Sequence, residues 1–146
     1  ECLRFFNGTT SGSICNYCSD KTRDDTQLIL VEKDQDLIAI ERTGTYRGRH
    51  FVLGGVLTLS GKGAIREKDL LKIVEKRLKN GLKEIVLALS ATSEGEFTVD
   101  RIRELLAPWR DKVKISILGR GLATGSELEY SDPETLRAAL SNRKET

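Results

Sequence analysis

The sequence predicts an α/β sandwich built on a four-stranded parallel sheet. Three observations predict it. Four short segments, Gln27–Val31, His50–Leu53, Glu84–Leu89 and Val113–Leu118, carry apolar residues at consecutive rather than alternate positions, as strands covered on both faces do. Between them lie stretches with apolar residues at helical spacing, and such alternation joins parallel strands through crossover helices. At 146 residues the chain is one domain with a small appendage, and it can bury a core without covalent staples.

Each element has its own signal. Residues 1–26 are rich in Gly, Ser, Thr, Asn and Asp without periodicity, which reads as loop or a small knuckle. Gln27–Val31 is the first strand. Asp34–Arg42 is a short helix opened by Asp34, with Leu37, Ile38 and Ile40 inward. His50–Leu53 is the second strand, and Thr58–Ala64 is the expected flexible loop. Arg66–Asn80 is the clearest helix: Leu70, Leu71, Ile73, Val74 and Leu78 share a face, and Gly81 stands where a left-handed cap belongs. Glu84–Leu89 is the third strand. Glu94–Leu106 is a helix with Val99, Ile102, Leu105 and Leu106 inward, and Val113–Leu118 is the fourth strand. Asp132-Pro133-Glu134 opens a last helix to about Leu140, with an acid at the N-cap and proline at the first helical position. The expected division is residues 1–26, 27–122 and 123–146. In such sheets functional groups collect beyond the carboxyl ends of the strands. Glu32, Gly54-Gly55, Ser90–Glu96 and Gly119–Gly121 fall there.

Charge excludes a global nucleic-acid field: 24 Lys and Arg stand against 22 Asp and Glu, for a net +2. DNA affinity must then come from local patches. No apolar run approaches the roughly 18 residues that span a membrane, and no secretion signal is visible, so the expected location is the cytoplasm. Methionine is absent and the chain opens on Glu1-Cys2, which reads as the interior of a longer protein. The three cysteines, Cys2, Cys15 and Cys18, all lie in the first eighteen residues. An odd count argues against a disulfide framework, and clustering argues for metal.

Three segments carry the chemistry. Thr43–Gly55, TGTYRGRHFVLGG, sets Arg47, Arg49 and His50 before an apolar run that ends in Gly54-Gly55. With Arg42 and Tyr46 this is a basic segment with one aromatic, either an ordinary charged loop or a backbone-phosphate contact. His50, the single histidine, reads as a structural hydrogen-bonding residue. Ser90–Glu96, SATSEGE, places Glu94 and Glu96 on the first turn of a helix, where acids complement the dipole or meet a partner. Arg120–Asp132, RGLATGSELEYSD, is Gly-rich but lacks the Gly-Lys-Ser/Thr of a phosphate loop, so no nucleotide cofactor is expected.

Together these segments resemble the Toprim domain of the RecR family of bacterial recombination mediators, from about Cys15 to Asn142. That family shows YRG-x-(Y/F)-HVLGG, N-P-T-x-E-G-E and RGLPVGGDLEYAD. This chain departs at Ala123 for Pro, Ser126 for Gly, Glu127 for Asp and Ser131 for Ala. The resemblance implies a Toprim-like sandwich preceded by a degenerate zinc knuckle. It also implies a mediator without catalytic activity that forms a ring-like homo-oligomer on double-stranded or gapped DNA. Such proteins act with RecO and RecF to place RecA on DNA coated with single-strand-binding protein. The family's N-terminal helix-hairpin-helix element is not in this sequence.

Toprim enzymes use a Glu at the position of Glu32 and hold Mg²⁺ on a D-x-D. Here that site reads Ser90-Ala91-Thr92, too few carboxylates for the ion. The expectation is a protein that is not an enzyme, with a catalytic Toprim enzyme and a pure protein-binding module as alternatives. DNA contact is expected at Arg42, Arg47 and Arg49, and partner contact at an acidic patch of Glu32, Glu94 and Glu96.

Cys15-x-x-Cys18 with Asp20, Arg23 and Asp24 is similar to the second half of the family's zinc finger. In the first half Phe5 stands where a fourth ligand belongs. Cys2, Cys15 and Cys18 could hold zinc weakly with water or with a ligand from upstream. Otherwise the finger has lost its metal and is held by packing of Phe5 and Phe6. Loss or weakening of zinc is the favoured reading.

Overall fold

The computed structural model describes residues 1–5 and 14–146. Strands β1 (Asp24–Val31), β2 (Gly48–Val52), β3 (Glu84–Ala88) and β4 (Lys114–Ile117) form one parallel sheet in the order β2-β1-β3-β4. Strand β1 starts three residues earlier than its apolar run. Asp24 pairs with Gly48 ahead of a register shift, so polar residues extend the ladder outside the core.

Alternation along the strands sorts the core into two layers. Leu28, Leu30, Phe51, Leu53, Ile85 and Leu87 point to one face. There they meet Leu70, Ile73 and Val74 of α3 (Glu67–Lys79) and Val99 and Ile102 of α4 (Ser93–Leu105). Ile29, Val31, Val52 and Ala88 point to the other face and meet Leu37 of α2 (Asp34–Arg42). The expected helices form because each has a stop and a start. Gly81 takes φ +89° after α3, and Thr92 Oγ1 accepts from Gly95 N to open α4. Asp132 Oδ1 accepts from Thr135 N at the head of α5 (Pro133–Ser141). Helix α5 buries no residue; Asn142 Nδ2 holds its end by donating to Arg120 O at 2.8 Å.

One further α-helical turn, α1 (Asn16–Ser19), starts just after Cys15 and contains Cys18; at four residues it has no periodicity to read. The expected loop at Thr58–Ala64 contains a closed turn, with Thr58 N donating to Lys62 O and Gly61 N to Thr58 O.

The sheet's two edges differ. The first residues run beside β2: Val52 N donates to Cys2 O at 2.8 Å. Arg66 Nη1 clamps Leu3 O at 2.7 Å and Val52 O at 3.0 Å. This covers the edge, and all of β2 is buried, as an exposed ladder edge would otherwise invite pairing. At the other edge β4 is only partly covered, and Ile117 and Leu118 are exposed. Among the described residues no helix is long and apolar enough to cross a membrane.

Candidate functional site

The carboxyl ends of the strands make one rim. Glu32 follows β1 and is 9% exposed. Its Oε1 accepts from Ser90 N at 2.6 Å and its Oε2 from Ser90 Oγ at 3.2 Å. The carboxylate ties the ends of β1 and β3 together and does not face solvent. The expected three-acid patch is therefore two acids, Glu94 and Glu96, both exposed on the first turn of α4. Glu96 in turn accepts from Arg120 of the loop after β4. Gly95 between them is buried because a Cβ there would strike the Ser90 carbonyl, a requirement the sequence alone did not show. Among the described residues the only cluster of three or more metal-ligating side chains lies elsewhere, at the cysteines, so the rim gathers no set of acids for Mg²⁺.

The amino ends of the strands carry the basic segment. Arg42, at the end of α2, and Arg47, before β2, are exposed. Arg49 is not: it is 9% exposed, Nε donates to Asp25 Oδ1 at 2.8 Å and Nη1 to Cys18 O at 3.1 Å. A guanidinium held by two protein acceptors is not offered to phosphate, so the expected trio of DNA contacts reduces to Arg42 and Arg47. Tyr46 is turned inward too. Its hydroxyl donates to Arg49 O at 2.8 Å, and its ring lies where a side chain at Gly48 would be.

His50 is buried between the rings of Tyr17 and Tyr46, at 5.6 and 5.4 Å, with Nε2 2.7 Å from Glu41 Oε1. Burial pushes it down to about 4 against the pull of Glu41, with Arg23 and Arg4 acting the same way as burial. Arg23 grips Glu41 with two hydrogen bonds, at 2.9 and 2.7 Å. Arg23 also lies over the Tyr17 ring, as Arg4 does. This network joins the knuckle to the sheet, the structural role expected of His50.

In the knuckle the sulfurs of Cys2, Cys15 and Cys18 all lie within 4.8 Å of one another, and Cys2 and Cys15 hydrogen-bond through sulfur at 3.4 Å. Hydrogen bonding from the Cys2 thiol, with help from Cys15, pulls Cys18 down to about 5, while Cys2 is pushed far up. Three cysteines are thus positioned to bind a metal ion. A structural zinc shell takes a fourth ligand, which Phe5 does not offer; its ring is 81% exposed. Phe5 therefore does not pack inside the knuckle in place of a metal, and Phe6 lies outside the described residues.

This sheet order, the rim loops and the N-terminal cysteines define a Toprim-type α/β domain with a knuckle on its β2 edge. A family model described as Toprim domain matches residues 26–119, and one described as RecR, C-terminal, matches residues 121–144. Recombination protein RecR of Ruegeria sp. (strain TM1040) is 42% identical over 99% of this chain and 71% of its own length. That of Cereibacter sphaeroides is 37% identical over the same shares. That of Francisella tularensis subsp. holarctica is 42% identical over 92% of this chain and 66% of its own. The chain belongs to the RecR family of recombination proteins.

Proposed function

We propose that this protein is a non-catalytic mediator of DNA repair and recombination. It acts with RecO-like and RecF-like partners to load RecA on gapped DNA. The observation that carries the reading is the state of the rim in a member of this family. The one buried rim carboxylate, Glu32, is bonded to Ser90, and Ser90-Ala91-Thr92 holds no acid. A rim of this kind cannot seat the ion that phosphodiester chemistry requires.

The exposed pair Glu94 and Glu96 suits a basic partner protein, because complementary charge orients docking and like charge repels phosphate. Arg42 and Arg47, at the opposite end of the sheet, suit the DNA backbone. A homo-oligomer is supported by the half-open β4 edge, where Ile117 and Leu118 are exposed, and by exposed Leu128, Tyr130 and Leu140 beyond it. Cys2, Cys15 and Cys18 supply three of the four ligands that a structural zinc shell takes.

The test uses full-length protein with gapped DNA coated by single-strand-binding protein. Adding it with RecO-like and RecF-like partners should speed RecA assembly. With Mg²⁺ it should neither nick, relax nor extend DNA. Mg²⁺-dependent cleavage that Glu32→Gln abolishes would replace the mediator with an enzyme.

A further inference from the structure

The amino end of the sheet holds a second cationic feature besides Arg42 and Arg47. Trp109, the one tryptophan of this sequence, lies in the turn that joins α4 to β4. Its N donates to Leu106 O at 3.0 Å, and its carbonyl accepts from Lys112 N at 2.8 Å and Val113 N at 3.0 Å. These bonds fix the backbone, and the half-buried indole packs against the core layer of α3 and α4. With Leu78, Lys79, Leu82, Lys112 and Glu75 it lines a groove of about 410 Å³. Packing alone explains a half-buried indole at the core's edge, but not the cations beside it. Lys79 and Lys112 are exposed and join no ion pair among the described residues. Lys83 and Arg110, next in the chain to Leu82 and Trp109, are exposed as well, and the acids near them are Glu75 and Asp111. The helix dipole accounts for Lys79 at the end of α3. It does not account for Lys83, Arg110 and Lys112, which lie outside the α-helices.

We infer that this groove takes single-stranded DNA, with one base stacked on the Trp109 indole and the flanking phosphates on Lys79 and Lys112. Its volume is near the low end for small-molecule sites, which suits one nucleotide and not a duplex. An aromatic face stacks on any base, and cations that track the backbone supply the rest of sequence-independent single-strand binding. A duplex keeps its bases stacked on each other, so the groove selects the single-stranded part of gapped DNA. An acidic peptide would meet the same lysines but leave the flat indole face unused. Cations also continue across the base of the sheet, from Lys83 before β3 to Arg47 before β2, so a strand leaving the groove meets further positive charge. The fixed backbone of Trp109 holds the indole in place before any base arrives, which lowers the ordering cost of binding.

The inference rests on the proposed DNA role and deepens it by naming where the single strand lies. Full-length protein is titrated with oligothymidylate and, separately, with duplex DNA of the same length. The emission of Trp109 is read as the difference from Trp109→Phe. Oligothymidylate should quench it and duplex should not. Trp109→Leu should weaken oligothymidylate binding about fivefold or more, Trp109→Phe should weaken it less because an aromatic face remains, and duplex affinity should stay unchanged in both. Because Trp109 also packs on the core, Lys79→Ala with Lys112→Ala, at exposed positions, provides the second arm. That pair should reduce the slope of log affinity against log salt for the single strand by about 1.4. DNA binding that persists with Trp109 unquenched, or with affinity and salt slope untouched by these variants, would overturn the inference and leave the mediator reading standing. Equal quenching by duplex, or quenching by a polyglutamate peptide where oligothymidylate gives none, would overturn it too. Full-length protein that binds neither form of DNA would overturn both readings.

Discussion

The two ends of the sheet are built by the same four strands, and the helix ends that meet them differ in charge. At the carboxyl end the helices begin, with Asp34 and Asp36, Glu67 and Asp69, Glu94 and Glu96 in their first turns. At the amino end they finish, with Arg42, then Lys76, Arg77 and Lys79, then Arg103. Much of this follows the helix dipole, which favours acids at the start and cations at the finish. Charge alone therefore does not mark function at either end. What separates the ends is which charges the fold already uses. Glu32 is bonded to Ser90, and Arg23, Arg49 and Arg77 are paired with Glu41, Asp25 and Glu1. Glu94 at the rim and Arg42 and Arg47 at the base remain exposed.

The largest effect should come from the glycines that fix each end. Gly95→Ala drives a Cβ into the Ser90 carbonyl, and backbone there has no room to give. A loss of about 3 kcal/mol in denaturant unfolding is expected. Gly48→Ala meets the Tyr46 ring and the Gln27 Cβ. Part of that obstacle is a side chain that can swing away, so about 1–2 kcal/mol is expected. A larger cost at Gly48 than at Gly95 would show that the rim is the softer end.

Acid should attack the base next. His50 is held down to about 4 by burial, so between its ordinary 6.5 and 4 the unfolded chain binds the proton that the folded chain refuses. Stability is then full above about pH 6.5 and falls as pH drops toward 4. Glu41, lowered overall by Arg23 and His50 against the opposing cost of burial, adds a loss of the same sign below its ordinary 4.5. Melting temperature measured from pH 8 to 4 should decline over this window, and His50→Asn should flatten the upper part of the decline. An unchanged slope in the variant would mean that His50 titrates normally.

Smaller still is the electrostatic effect on DNA. Removing two phosphate contacts by Arg42→Ala with Arg47→Ala should reduce the slope of log affinity against log salt by about 2. Arg49→Ala should instead lower thermal stability, since its guanidinium ties β2 to Asp25 and the knuckle. A salt slope that Arg49→Ala alone reduces would restore it as a contact.

Much of this contrast was legible in the sequence. The four strands and four long helices follow from apolar runs and helical spacing, with ends displaced by one to three residues where polar positions continue a ladder or a cap. The cysteine cluster was legible from spacing alone. The commitment of particular charges was not. Arg49 lies within a strand buried along its whole length, and only the fold brings Asp25 and Cys18 O to it. Glu32 likewise reads as a rim acid until Ser90 is set beside it from 58 residues away. Gly48 and Gly95 each make room for a neighbour whose position depends on tertiary packing, and no pattern in the sequence marks them. Phe5 marked a missing ligand, but its outward direction is a property of the chain path along β2.

On the proposed function, the two ends of the sheet bind different partners. The most direct test of this measures, side by side in full-length protein, affinity for gapped duplex DNA and for a RecO-like partner. The variants are Glu94→Lys with Glu96→Lys and, separately, Arg42→Ala with Arg47→Ala. The rim variant should lose about tenfold or more in partner affinity and keep its DNA affinity, while the base variant should do the reverse. Loss of both affinities in either variant, or partner affinity untouched by reversal at Glu94 and Glu96, would contradict it.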